Sequence, residues 1–233
     1  MLKRQFQQLA FKDNQAGFTI IESLVAVIVL GILMTAIAPT IVLSTATRVQ
    51  SRRIELATLA AGAYIDGVTS GSIPAPPISK TTSSAAPPGT SLSCDDVDDL
   101  KAKKGYCSSP KDDSSYKVFC IDGTGDGKCT KQQSKDMIVQ AFGFNPDSTE
   151  ASQGYKLSVR VYRADAFEDN SALTIGNGTK QSTFTGGMGK RKAPLAEITT
   201  EVVVAGKTTF GNWCNRFKNT KTIINNTNSD CGK

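Results

Sequence analysis

The chain has 233 residues, 27 Lys and Arg against 21 Asp and Glu for a formal charge of +6, six Cys and no His. That length suits one domain plus appendages, and 39% hydrophobic with 21% charged residues excludes both a wholly disordered chain and a multi-span membrane protein. The absence of His excludes Ser-His-Asp triads, Cys-His dyads and His-ligated zinc, and one Trp with five Tyr gives no stacking platform for single-stranded nucleic acid.

The apolar residues gather near the N-terminus. From Phe18 to Thr47 the only ionisable side chain is Glu22, and from Ser23 to Thr47 there is none. As a helix rising ~1.5 Å per residue, that uncharged run spans about 37 Å, more than the ~30 Å hydrocarbon core of a bilayer. It reads as a retained transmembrane helix over about residues 20–43. A cleaved secretory signal is the rival reading, but its apolar core is shorter and is followed by a small-residue cleavage site, whereas Arg48, Arg52, Arg53 and Glu55 here continue the helix. Lys3, Arg4 and Lys12 precede the span and three Arg follow it, so charge bias alone does not orient it.

Residues 16–22 read Ala-Gly-Phe-Thr-Ile-Ile-Glu. A short basic leader ends at Gly17, Phe18 opens the apolar run, and Glu22 follows four residues on. A carboxylate inside a membrane span costs ~2.5–3.5 kcal/mol at mid-bilayer and less near the interface, so a sequence that carries one there has a use for it. The stretch GFTIIESLVAVIVLGIL resembles the class III signal of type IV prepilins and type II secretion pseudopilins. The resemblance implies a cytoplasmic leader over residues 1–17, cut between Gly17 and Phe18 by the prepilin peptidase and followed by N-methylation of Phe18. It also implies that Glu22 neutralises the terminal ammonium of a neighbouring subunit during assembly; two charges in a low-dielectric bundle each cost several kcal/mol alone and much less when paired. Gly31 and Pro39 match positions where pilins carry such residues. Read plainly they give a mild kink; read through the resemblance, the segment between them loosens when the subunit leaves the bilayer.

Beyond the span the helix continues to about residue 69. Val49, Ile54, Leu56, Leu59, Ala60, Ala63, Tyr64 and Val68 recur at helical spacing and predict a face packed on the protein's own globular domain, with Gly67 and Gly71 as candidate ends. Residues 70–93 hold five of the nine prolines and many Ser and Thr, the pattern of a linker or extended surface segment. From residue 94 to 233 the chain reads as a small β-rich domain. Strands are expected over 116–121, 137–144, 155–163 and 195–204. Tyr155, Leu157, Val159 and Val161 alternate with Lys156, Ser158, Arg160 and Tyr162. Residues 170–193 read as a long loop. The fold class is α+β; a long N-terminal helix packed on a small antiparallel sheet, as in pilins, is what the resemblance adds.

All six cysteines, Cys94, Cys107, Cys120, Cys129, Cys214 and Cys231, lie beyond the apolar run. An even number in an exported domain argues for disulfides. Fifteen pairings exist; the short-loop set is Cys94–Cys107, Cys120–Cys129 and Cys214–Cys231, the last resembling the C-terminal disulfide loop of many pilins. Asp122, Thr124 and Asp126 fall at the first, third and fifth positions of a calcium-type loop with Gly127 at the sixth, though Thr replaces Asp or Asn at the third and Gln133 stands where a bidentate Glu belongs. A Gly/Asp hairpin turn is the competing reading; calcium is the one candidate cofactor. Lys190, Arg191 and Lys192 form the dense basic cluster of the domain, either a solvated turn or a contact for an anionic polymer.

Two further stretches, TIVLSTATRVQSRRIELATLAAGAYIDGV and GYKLSVRVYRADAF, are similar to the pseudopilins of cyanobacterial hormogonium polysaccharide secretion. The resemblance implies a non-enzymatic minor subunit of a type IV pilus-like or type II secretion-like machine serving motility and polysaccharide export. It places the chain as a single-pass protein of the inner membrane, with its C-terminal domain periplasmic or extracellular, and afterwards in a pilus or pseudopilus. The partners implied are prepilin peptidase, other pilins or pseudopilins, the inner-membrane assembly platform, membrane lipid before assembly, and polysaccharide. A pilus-tip adhesin or DNA-uptake subunit using the basic loop is the alternative, with DNA the lesser partner.

Overall fold

The computed structural model describes residues 19–81, 92, 94–107, 117–169, 171–175, 189–204 and 207–219. The chain divides into two compact units, residues 1–44 and 45–233. The described part of the first is helical from Ile20 on: it is the opening of α1 (Ile20–Ser70), which stays α-helical through Gly31 and Pro39.

In the second unit, the remainder of α1 lies against a five-stranded sheet made of β1 (Ile78–Ser79), β2 (Lys117–Ile121), β3 (Met137–Phe144), β4 (Tyr155–Arg163) and β5 (Ala196–Val202). β4 pairs antiparallel with β3 on one side and β5 on the other. The outer edge of β3 is shared: β2 runs antiparallel along Met137–Ala141, and β1 runs parallel beside Gly143 and Phe144. Short helices α2 (Val97–Ala102) and α3 (Phe210–Asn219) and two 3-10 turns, Ala151–Gln153 and Ala164–Phe167, complete the described elements.

The period-two pattern of the strands sets up two cores. One face buries Tyr155, Leu157, Val159 and Val161 of β4 with Met137, Val139 and Ala141 of β3 against Ala57, Ala60, Ala61, Tyr64 and Val68 of α1. Three alanines on that helical line let the backbone come close to the sheet. The opposite face buries Val118, Ile138, Tyr162, Ala164, Ala166 and Phe167 with Leu100 and the cysteines Cys94, Cys107 and Cys129. The alternate set of β4, which reads as a polar face, is covered at its C-terminal end: Lys156 is exposed and Ser158 half-buried, but Tyr162 is fully buried, and buried Arg160 pairs with Glu197 at 2.9 Å.

Three sequence expectations change. The packing face of α1 is narrower than expected: Val49, Leu56 and Leu59 are exposed, Leu59 at 63%, while Gln50 is buried at 1%. Spacings of three and four residues mark two lines on one helix, and the line that packs on the sheet runs through Ala57, Ala61, Tyr64 and Val68, with Ile54 and Ala60 beside it. Next, the proline-rich stretch contributes β1, whose parallel pairing makes the sheet mixed instead of purely antiparallel. Gly143 permits it, since a Cβ there would stand 2.7 Å from Ile78 Cγ1. Finally, of the two candidate ends α1 passes through Gly67 and uses the other: it stops at Ser70, and Gly71, with a φ of +79°, takes the left-handed conformation that caps helices.

Candidate functional site

The first turn of α1 carries the residues that the sequence singles out. Thr19 caps it: its Oγ1 accepts from the Glu22 N–H at 3.3 Å, and its carbonyl accepts from the N–H groups of Glu22 and Ser23 at 3.0 and 3.2 Å. Ser23 Oγ also donates to the Thr19 carbonyl at 3.0 Å. Thr-Ile-Ile-Glu is thus a capping-box sequence. Glu22 lies in the first turn, where a carboxylate favours the positive end of the helix dipole. Its side chain is exposed, as are Ile20, Ile21, Leu24, Val25, Val27 and Ile28 behind it. A patch of that size on a monomer marks an interaction with lipid or protein, and α1 is long and apolar enough to cross a membrane. Gly17 and Phe18 lie outside the described residues.

The features of the second unit resolve differently. Cys94–Cys107 and Cys120–Cys129 are both formed, with Cα separations of 4.9 and 5.9 Å. They are knitted together by the Cys129 N–H donating to the Cys94 carbonyl at 2.8 Å. Cys214 is disulfide-bonded, and Cys231 lies outside the described residues.

The Asp122 loop is a hydrogen-bonded turn. Asp122 Oδ1 accepts from Thr124 N, Thr124 Oγ1 and Gly125 N at 2.8, 3.0 and 2.6 Å, and Oδ2 accepts from Gly127 N at 2.6 Å. Partial burial raises its pKa, but these donors outweigh burial and hold the carboxyl below its ordinary value. Asp126 Oδ1 accepts from Lys128 N at 3.1 Å. Calcium needs six to eight oxygens turned toward one point; here backbone donors already converge on the first carboxylate, and Thr124 gives its proton to it. The donor set does not fit the ion, and among the described residues no group of three or more His, Cys, Asp or Glu is placed to hold a metal. Asp136, fully buried below the loop, accepts from Gly123 N and Thr130 N at 3.2 Å each; burial pushes its pKa up, and Asp122 and Asp126 push the same way.

The basic cluster is largely neutralised within the domain. Arg191 bonds Glu168 and Asp169 at 2.6 Å each, and Lys192 Nζ lies 2.5 Å from Asp169 and donates to the Ala166 carbonyl. The Lys192 and Ser171 hydrogen bonds hold the Asp169 carboxyl well below the carboxylate range. Two of the three cations that suggested an anionic-polymer contact are thus paired, which is what the solvated-turn reading expects.

Residues 12–38 match the prokaryotic N-terminal methylation motif. This supports a class III signal of the type IV pilin kind, and the match spans Lys12, Gly17, Phe18, Glu22 and Gly31. No curated protein and no solved structure matches the chain.

Several features escape sequence reasoning. The Thr19 cap has a legible signature, Ser or Thr three residues before Glu. The Arg160–Glu197 ion pair and the Tyr64–Tyr106 contact join residues 37 and 42 apart in the chain, whose neighbourhood only the fold creates.

Proposed function

We propose that the chain is a minor pilin or pseudopilin, a non-enzymatic structural subunit of a type IV pilus-like or type II secretion-like machine serving motility and polysaccharide secretion. The observation that carries this reading is the methylation motif over residues 12–38 at the head of a long apolar helix, with Glu22 in the first turn. Prepilin peptidase removes residues 1–17 and methylates Phe18. The subunit waits in the inner membrane with its disulfide-bonded domain on the exported side, then joins other pilins on the assembly platform. Glu22 takes the neighbour's terminal ammonium as its counter-charge, and the Gly31–Pro39 segment relaxes on leaving the bilayer.

The test is Glu22→Val. The β-rich unit, which packs without residue 22, keeps its disulfides and its fold. Cleavage proceeds, because the peptidase reads the Gly17 junction. Incorporation falls, because removing one partner of a buried ion pair costs ~3–5 kcal/mol, or about two or more powers of ten in recruitment. Co-purification of the variant with sheared filaments, relative to its membrane level, measures this; undiminished incorporation contradicts the assigned role. Gene deletion, scored separately for motility, polysaccharide release and DNA uptake, assigns the machine.

A further inference from the structure

Immediately past the uncharged run, α1 carries Arg48, Arg52 and Arg53. Arg48 and Arg52 stand one turn apart on nearly the same line of the helix, both exposed, and neither enters an ion pair among the described residues. Other arginines of the domain do find carboxylates: Arg160 with Glu197, Arg163 with Asp165, Arg191 with Glu168 and Asp169. Glu55 is the sole carboxylate on α1 between Ser23 and Tyr64, and it forms no ion pair among the described residues.

Arg53 adds charge at the same level, about 100° further round the helix. It is half-buried, within electrostatic reach of Arg163 and Asp165; burial first, and the Arg163 charge second, lower its pKa. Counting Arg53 itself, two guanidinium groups share one carboxylate, which Arg163 already pairs, so positive charge is in excess. The arginines that follow the apolar run are therefore short of anions.

We propose that Arg48 and Arg52, flanked by Arg53, form a binding site for the phosphate of an anionic phospholipid headgroup in the leaflet where α1 leaves the bilayer. The dimensions match. From Arg48 to Arg53 the helix rises about 7.5 Å, and the headgroup layer on one side of a bilayer is about 5–8 Å thick. A guanidinium presents paired N–H donors to phosphate oxygens. The uncharged run exceeds the hydrocarbon thickness and by itself leaves the depth of α1 undefined; phosphate held at Arg48 and Arg52 defines it, so the domain starts at a fixed height above the membrane. The inference rests on the reading of α1 as a membrane span.

The experiment uses the full chain in detergent micelles, titrated with short-chain phosphatidylglycerol, short-chain phosphatidylcholine and inorganic phosphate, with bound lipid counted by native mass spectrometry. Phosphatidylglycerol is retained in preference to phosphatidylcholine, and inorganic phosphate at equal concentration does not displace it. The double variant R48Q/R52Q, its disulfide map unchanged, retains it about thirtyfold more weakly. R48K/R52K, which keeps the charge but loses the paired donors, binds between wild type and R48Q/R52Q, and Arg191→Gln changes nothing. Equal retention of the two lipids, displacement by inorganic phosphate, or wild-type retention by R48Q/R52Q overturns the site. A chain that stays dispersed in buffer after detergent removal, without partitioning into vesicles, overturns the membrane span and this site together; one that partitions normally without lipid preference overturns this site alone.

Discussion

The hydroxyl oxygens of Tyr64 and Tyr106 lie 2.7 Å apart, and Tyr106 donates to the Pro74 carbonyl at 2.8 Å, which leaves Tyr64 as the donor to Tyr106. One short chain of hydrogen bonds thus joins α1, the proline-rich segment after it and the segment that the Cys94–Cys107 bridge ties down. Phe119 of β2 packs edge-on against both rings, at 5.2 and 5.3 Å. The helix is fastened to the segments around residues 74 and 106 by polar contacts inside an apolar core.

The order of donation ranks two conservative variants. Tyr64→Phe removes one donor, and Tyr106 still serves Pro74, a loss of about 1 kcal/mol. Tyr106→Phe leaves the Tyr64 hydroxyl and the Pro74 carbonyl without their partner, each in a buried or half-buried place, and costs about 1–3 kcal/mol. Chemical denaturation of the two variants should place Tyr106→Phe below Tyr64→Phe.

Alkaline pH probes the same cluster. Burial, reinforced by Tyr106, raises the Tyr64 pKa far above its ordinary 10.0; burial likewise raises Tyr155, and Tyr106 is pushed up to about 12. A raised folded-state pKa means that the stabilisation is complete below the unfolded value near 10 and drains away as pH climbs past it. Phenolate absorbance should therefore show these tyrosines silent through pH 10 and released together with unfolding above it. Smooth titration near 10 with the fold intact would contradict the buried cluster.

The disulfides act on the face of the sheet away from α1. Cys120–Cys129 and Cys94–Cys107 close loops of sequence separation 9 and 13, and loops of this size are worth roughly 2–4 kcal/mol each. The paired variant C120A/C129A should lose about that much stability and keep its strands. Non-reducing peptide mapping should recover both bridges and pair Cys214 with Cys231.

Gly143 tests the unexpected strand. Gly143→Val places side-chain carbon against Ile78 Cγ1 and Tyr155 Cδ2, which would lie 2.7 and 3.0 Å from a Cβ. β1 is displaced, and the bonds from Gly143 N to Pro77 O and Asn145 N to Ser79 O, at 2.9 and 3.0 Å, are lost. Amide hydrogen exchange at residues 143 and 145 should accelerate in the variant while residues 138–141, paired with β2 on one side and β4 on the other, stay protected.

What the sequence makes legible follows from how local each signal is. β2 to β5 stand where alternation and β-branched residues put them, and the two short-loop disulfides are those expected, because their partners are close along the chain. β1 is hidden because Ile78 and Ser79 have no strand pattern of their own; the free end of β3 recruits them. The sheet-facing line of α1 is hidden because Leu56 and Leu59 satisfy helical spacing as well as Ala57 and Ala61 do, and only close approach to the sheet selects the alanines. The Asp122 loop has carboxylates at calcium spacing, yet spacing does not reveal that the N–H groups of residues 124, 125 and 127 turn inward. Lys190, Arg191 and Lys192 look like an open basic patch because Glu168 and Asp169 lie more than twenty residues earlier. At the candidate site, the GFTIIE pattern is legible on its own, since a carboxylate at the head of an uncharged, membrane-length run is costly unless it meets a counter-charge.

The central claim, that this is a processed pilin-type subunit, stands or falls on its N-terminus. Intact-mass analysis of the protein from membrane and sheared-filament fractions should show a chain beginning at Phe18, lighter by residues 1–17 and heavier by one methyl group, and Gly17→Trp should leave the precursor uncut in the membrane. A mature chain that begins at Met1, or one cut after Ala46 as a secretory signal would be, contradicts the account.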